Sequence, residues 1–269
     1  MRPILFRLHD AVVYSHSAFI LLGTAVALFV SVRAARRVGR WDQDFLVIIA
    51  GGLVGAALVA RYGLVLRYLQ DANEPTFRGF LAYGGKSLLG GLAGAYGGVV
   101  ITKRLIGYRR RTGDLLLPGV ALGMAIGRIG CFLAERPGTV TTMPWAVRVP
   151  RDAAARIVNC PACTANLPMH PSFLYESAFL ALAAWMAFRA MRRPALPALW
   201  MREGDLFKLF LLAYATFRFF VEFVRGNPPM AFGLSGSQLM VLPSALVLAV
   251  YFHLRRRGSR LAAAAVAVS

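Results

Sequence analysis

The chain has 269 residues, 58% of them hydrophobic and 16% charged, with 31 Lys and Arg against 12 Asp and Glu and a formal charge of +19. A mean hydropathy of +0.57 excludes an ordinary soluble domain, in which about a quarter of residues are charged. The cations cluster in alternate short loops between apolar runs, as membrane topology requires, whereas a nucleic-acid binder needs a solvated basic face; no nucleic-acid partner is expected.

In chain order, Ser17 to Val32 is apolar and ends in Arg33, Arg36, Arg37 and Arg40 with no small-residue cleavage site, so it reads as a retained first helix and not a signal peptide. About seven spans of near-membrane length follow, at 15–32, 45–66, 87–102, 115–134, 172–190, 206–225 and 237–254. The connections 33–40, 103–111, 189–202 and the tail from Arg255 to Arg260 are Arg- and Lys-rich. They alternate, so they lie on one side, and that side is cytoplasmic. The fold class expected is an all-α polytopic membrane protein with the N-terminus outside and the C-terminus cytoplasmic. Residues 1–269 form a single integral membrane domain. The long outer loop 135–171 forms a small head region, with short strands expected around Pro144 to Pro150. Glycines four apart, at Gly51 and Gly55, at Gly90, Gly94 and Gly98, and at Gly119, Gly123 and Gly127, suit close backbone packing between spans.

Ionisable residues inside a span cost about 2.5–3.5 kcal/mol on insertion scales, so they call for a role. Arg61, Arg128, Arg218 and Glu222 stand out. With the topology above, Arg61 lies near the outer end of span two, Arg128 in the outer half of span four, and Arg218, Glu222 and Arg225 in the outer half of span six. Tyr214, Arg218, Glu222 and Arg225 share one helical face and can form a ladder. His16, His170, Ser172, Tyr175, Glu176 and Gln238 fall in the same outer layer. Snorkelling is the competing reading, and it weighs most at Arg225 and Arg67. Arg128, flanked by Gly127 and Gly130, is placed for close approach to a ligand. Guanidinium groups match phosphate bidentately, and the phosphate most available at that depth is a phospholipid headgroup. Membrane lipids are therefore expected partners.

Several ordered motifs carry a family resemblance. They are Arg61-Tyr62-Gly63, Gly84-Gly85-Lys86-Ser87 followed by Leu89-Gly90-Gly91-Leu92, Gly127-Arg128-Ile129-Gly130-Cys131-Phe132, His170-Pro171-Ser172-Phe173-Leu174-Tyr175-Glu176, and Phe217-Arg218 through Glu222 to Arg225. Together, over nearly the whole chain, they resemble the prolipoprotein diacylglyceryl transferase family. The resemblance implies transfer of the diacylglyceryl group of phosphatidylglycerol to the cysteine thiol of a prolipoprotein signal peptide, with release of glycerol phosphate. It implies a multi-pass protein of the bacterial cytoplasmic (inner) membrane, acting in lipoprotein biosynthesis. It also implies that Arg128 and Arg218 bind the phosphate and leaving group, with Arg61, Glu222, Arg225 and Tyr175 in support. The candidate site taken forward has Arg128, Arg218, Glu222 and His16 as catalytic residues, and Arg61, Arg128, Arg218, Arg225, Gly90, Gly91, Tyr175 and Glu135 as headgroup-binding residues. No cofactor and no metal are expected.

The chain also departs from that pattern. The motif histidine before Gly90 is Leu89, the signature asparagine is Cys131, a second signature asparagine is Ala134, and His16 stands where the family carries a tyrosine. Leucine takes no proton, so the proton of the acceptor thiol falls to His16, Tyr214 or Glu222. The alternative is a divergent paralogue that binds phospholipid without catalysis or uses another acceptor. Cys160 and Cys163 form C-x-x-C in the outer loop, for which a disulfide or free thiols are favoured over a zinc site completed by Cys131 and His170.

Overall fold

The computed structural model describes residues 1–9, 11–62, 76, 88–157, 160–192 and 202–268, with the backbone alone described at 8, 11, 61, 62 and 258–268. Arg67, Gly63, Arg193 and the Gly84 to Ser87 motif lie outside the described residues, as do the side chains of Arg61 and Tyr62.

The elements, in order, are β1 (Ile4–Leu8), β2 (Ala11–Tyr14), α1 (Ser15–Arg37), α2 (Gln43–Tyr62), α3 (Leu88–Leu105), α4 (Gly113–Ala134), α5 (Arg151–Ala154), α6 (Pro161–Thr164), α7 (Ser172–Arg192), α8 (Asp205–Arg225), β3 (Pro229–Ala231), β4 (Leu234–Ser235) and α9 (Gly236–Val268). The long helices follow the apolar runs because a chain surrounded by hydrocarbon must satisfy its backbone polar groups within each segment. Among the described residues four helices are long and apolar enough to cross a membrane, namely α1, α2 through Ala60, α4 and α9 through Arg257. The protein is an all-α membrane protein. α7 and α8, at 21 residues each and about 32 Å long, match that length but carry the charged residues described below.

The chain divides into two compact units, Ala35–Arg110 and Met1–Ala34 with Arg111–Ser269. In the first, α2 and α3 pack through glycine. A methyl group on Gly98 would strike the backbone of Gly51, and one on Gly55 would lie 3.0 Å from Gly98 Cα. In the second, α4 packs against α7 and α8, and α8 against α9. The first helix also reaches α4 by backbone contact: a Cβ on Gly123 would sit 2.5 Å from Gly23 O and 2.8 Å from Ala27 Cβ. One turn from the end of α4, a Cβ on Gly130 would lie 2.6 Å from Phe19 Cβ and 3.3 Å from His16 O. Removing the side chain there lets the start of α1 lie against α4.

Two features were not foreseen. The N-terminus forms an antiparallel hairpin, β1 with β2, held to the end of α4 by Arg2 N–H donating to Leu133 O at 3.0 Å. The strands expected around Pro144 to Pro150 are instead isolated bridges, Val140 with Met169 and Val147 with Met169. Prolines at 144 and 150 bound the segment and remove ladder donors, so pairing stops after one residue. The head region gets its order from elsewhere. Val149, Ala153, Ala154, Ile157 and Met169 bury a small core with Cys160 and Cys163, which form a disulfide.

At the opposite end of this unit from the candidate site, Asp205 is fully buried. It accepts from Tyr251 Oη at 2.7 Å and Arg255 at 2.8 Å and pairs with Lys208 at 3.2 Å, while Asp114 accepts from the backbone N–H of Gly204 and Phe207. These bonds tie the start of α8 to α9 and α4.

Candidate active site

Four helix ends converge in the larger unit. α4 and α8 finish there, and α1 and α7 begin there. Helical periodicity then dictates which side chains meet. Arg128 lies in the penultimate turns of α4, Arg218, Glu222 and Arg225 in the last turns of α8, Glu176 in the first turns of α7, and His16 at the start of α1. Gly226, at φ 72°, ends α8 in the left-handed conformation that glycine adopts at no steric cost.

Glu176 is the hub. Its carboxylate is fully buried and accepts from Tyr214 Oη at 2.6 Å, and it pairs with Arg128 Nη2 at 2.8 Å. Arg218 Nε and Arg225 Nη1 each stand 3.7 Å from the same carboxylate. Arg218 also pairs with Glu222 one turn on, and Glu222 in turn accepts from Asn227 Nδ2 at 2.6 Å and Ser235 Oγ at 2.8 Å. Gln238 holds Ser235 by accepting from its backbone N–H at 2.9 Å. Below the cluster the ring of Phe173 faces the Arg225 guanidinium at 4.2 Å and that of Arg128 at 5.8 Å.

Three guanidinium groups thus share two buried carboxylates. A buried ion pair survives desolvation only when its remaining donors and acceptors are also met. Here Arg128 Nε and Arg225 Nη1, and the carboxylate oxygens Glu176 Oε2 and Glu222 Oε2, are buried without a hydrogen bond among the described residues. The guanidinium groups outnumber the buried carboxylates three to two, which suits an anionic ligand.

At the rim lies a second group. His16 Nδ1 stands 3.4 Å from Glu135 Oε1 and 3.6 Å from Cys131 Sγ, and Arg128 Nη1 donates to Cys131 Sγ at 3.7 Å. Glu135 Oε2 faces Arg225 Nη2 at 3.7 Å, which joins the rim to the buried cluster.

Of the residues singled out from sequence, the structure brings together Arg128, Arg218, Glu222, Arg225, His16 and Glu135. Tyr214 is on the expected face but donates to Glu176 across the helix contact, not along the α8 ladder. Tyr175 contacts the 135–171 segment, accepting from Trp145 Nε1 at 2.6 Å and meeting His170 Nδ1 at 3.1 Å. Gly90, Gly91 and Leu89 lie in the first turn of α3, in the smaller unit. The central position of Glu176 was missed. Its signal was present, since a glutamate next to Tyr175 inside an apolar span has the same burial cost as Arg128.

Comparison with known proteins fits this arrangement. The family model described as prolipoprotein diacylglyceryl transferase matches residues 3–254. The chain is 31% identical to the phosphatidylglycerol–prolipoprotein diacylglyceryl transferase of Mannheimia succiniciproducens, over 96% of this chain and 94% of that one. The proteins of the same name from Vibrio cholerae and Clostridium tetani are 31% and 30% identical, covering 91% and 85% of this chain and 88% and 87% of theirs. With a match that spans both units and includes every residue of the buried arginine cluster, this chain belongs to the prolipoprotein diacylglyceryl transferase family.

Proposed function

We propose that this chain transfers the diacylglyceryl group of phosphatidylglycerol to the cysteine thiol of a prolipoprotein signal peptide. The reading that goes with it is a single integral domain of about seven spans in a bacterial inner membrane. The N-terminus and the 135–171 head lie outside and the Arg-rich tail inside. The observation that carries the function is the buried Arg128, Arg218 and Arg225 group around Glu176, in a chain whose relatives bear that enzyme's name.

The chemistry follows from the residue types. The acceptor sulfur attacks the glyceryl carbon as a thiolate and forms a C–S bond, and the C–O bond to phosphate breaks with its electron pair going to oxygen. A monoanionic lipid and a thiolate become a thioether and dianionic glycerol phosphate. Charge therefore concentrates on the departing phosphate, and preorganised cations in a dry site stabilise it more than they stabilise the substrate. Arg128 and Arg218 are assigned to that phosphate, and Arg225 supports them. Glu176 and Glu222 hold the guanidinium groups in place. Arg61, Gly90, Gly91, Tyr175 and Glu135 keep their assignment to headgroup binding, and His16 to the acceptor side.

The test is incubation of purified protein with phosphatidylglycerol and a peptide bearing the acceptor cysteine, with mass spectrometry of the peptide. A diacylglyceryl thioether is expected, absent in folded Arg128→Ala and Arg218→Ala. Phospholipid binding without the adduct would support the non-catalytic alternative, and full activity in both variants would remove this site.

A further inference from the structure

We infer that His16, Cys131 and Glu135 form a site for a borderline-soft divalent cation, zinc above others, with a fourth position open to a thiolate. The ligand atoms Nδ1, Sγ and a carboxylate oxygen all lie within 4.8 Å of one another. Zinc takes nitrogen, sulfur and oxygen at about 2.0–2.3 Å, so two ligands of a tetrahedral ion stand about 3.3–3.8 Å apart. The observed separations from His16 Nδ1 are 3.4 Å to Glu135 Oε1 and 3.6 Å to Cys131 Sγ. The first is too long for a good N–H···O bond, which prefers about 2.7–3.2 Å. Both contacts also converge on one ring nitrogen, whereas a nucleophile–base–carboxylate relay needs the two nitrogens of the ring to serve different partners. Two of the three ligand pairs thus stand at tetrahedral separations, and the third is held within 4.8 Å.

The fold builds this point. Cys131 and Glu135 are one turn apart at the end of α4, where Glu135 N–H donates to Cys131 O at 2.8 Å. His16 arrives from α1 because Gly130 leaves room for that helix. Support comes from the neighbours: Arg128 Nη1 faces the sulfur and Arg225 Nη2 the outer carboxylate oxygen, contacts of the kind that orient metal ligands. Cys131 is buried, while the His16 and Glu135 side chains are 35% and 40% exposed, so the point is reachable from the rim. Cys131 is also the one thiol of the chain outside the disulfide.

Three protein ligands and one open position describe a catalytic zinc site, not a structural one. The role of the open position rests on the transferase reading above. There the acceptor cysteine gives its proton to water on binding the ion, and its sulfur is held as a thiolate beside the phosphate-binding arginines. That supplies thiol activation in a chain with Leu89 at the motif histidine position.

The test uses tag-free, full-length protein in detergent, without chelator or reductant. About one zinc per chain is expected by elemental analysis. After metal removal, Co2+ should give a sulfur-to-metal charge-transfer band in the near ultraviolet. Cys131→Ser should abolish the band, and His16→Ala and the rim variant Glu135→Gln should each weaken Co2+ binding about tenfold or more. A peptide with the acceptor cysteine should intensify the band, and the serine peptide should not. A wild-type chain with no bound metal and no band, or a band that survives in Cys131→Ser, overturns the site. A band that ignores the cysteine peptide overturns the open thiolate position. Lipid transfer measured in parallel separates the two readings. Full transfer by a metal-free chain removes the metal role alone, and a Cys131-dependent band without transfer removes the transferase reading alone.

Discussion

Arg128 Nη2 meets Glu176 Oε1 at 2.8 Å across the contact of α4 with α7, with both side chains buried. Three further groups, Tyr214, Arg218 and Arg225, turn toward the same carboxylate, so Glu176 sets the positions of the cations without itself suiting a phosphate. Glu176→Gln keeps the acceptor oxygen for Tyr214 and removes the negative charge from beneath three guanidinium groups. Uncompensated buried charge costs about 3–5 kcal/mol when one partner is lost. The expected outcome is a lower melting temperature in detergent and turnover reduced about a hundredfold, read by thermal unfolding and by the peptide-adduct assay.

Arg128→Lys separates charge from geometry. Lysine keeps the positive charge but presents a point ammonium where arginine presents a planar fork. We expect a folded protein whose rate of adduct formation falls about a hundredfold, with the KM for phosphatidylglycerol changing much less, because the lost contact matters most as charge develops on the leaving phosphate. Equal losses in kcat and in lipid binding would assign Arg128 to ground-state binding.

Leu89→His reinstates the motif histidine. A positioned general base contributes about 10²–10⁴-fold. With thiol activation assigned to the rim cluster, the expected gain is under about tenfold. A gain of the full size in the adduct assay would show that the α3 position still addresses the thiol.

Gly123→Ala tests the approach of α1 to α4. The new methyl would sit 2.5 Å from Gly23 O, a backbone atom that does not move aside as a side chain does. Destabilisation of about 1–3 kcal/mol is expected from overpacking, measured by thermal unfolding. Loss of Co2+ affinity should accompany it, since His16 rides on α1.

Asp205→Ala tests the far end of the same helix. It leaves Lys208 and Arg255 facing each other around a vacated carboxylate and strands the hydroxyl of Tyr251. We expect a stability loss of about 3 kcal/mol with the relative activities of the Arg128 and Arg218 variants unchanged.

Much of this was written locally in the chain. The long helices follow the apolar runs, with α1 beginning at Ser15, α4 ending at Ala134 and α8 ending at Arg225, all at the expected ends. The pairing of Arg218 with Glu222 follows from four-residue spacing. Arg128 announced itself by its burial cost. The N-terminal hairpin was hidden because its segment carries charged residues and no strict alternation, and the head region because its order comes from a small buried core and a disulfide.

The sequence by itself determined which segments are helical and which charged residues enter them, since both depend on neighbours within a few turns and on the cost of placing polarity in hydrocarbon. Only the tertiary structure decided that Glu176, and not Tyr175, stands at the centre of the arginines, and that His16 reaches Cys131 from 115 residues away. Those outcomes depend on the rotation of one helix against another and on the absence of a side chain at Gly130, and the residue pattern of a single helix records neither.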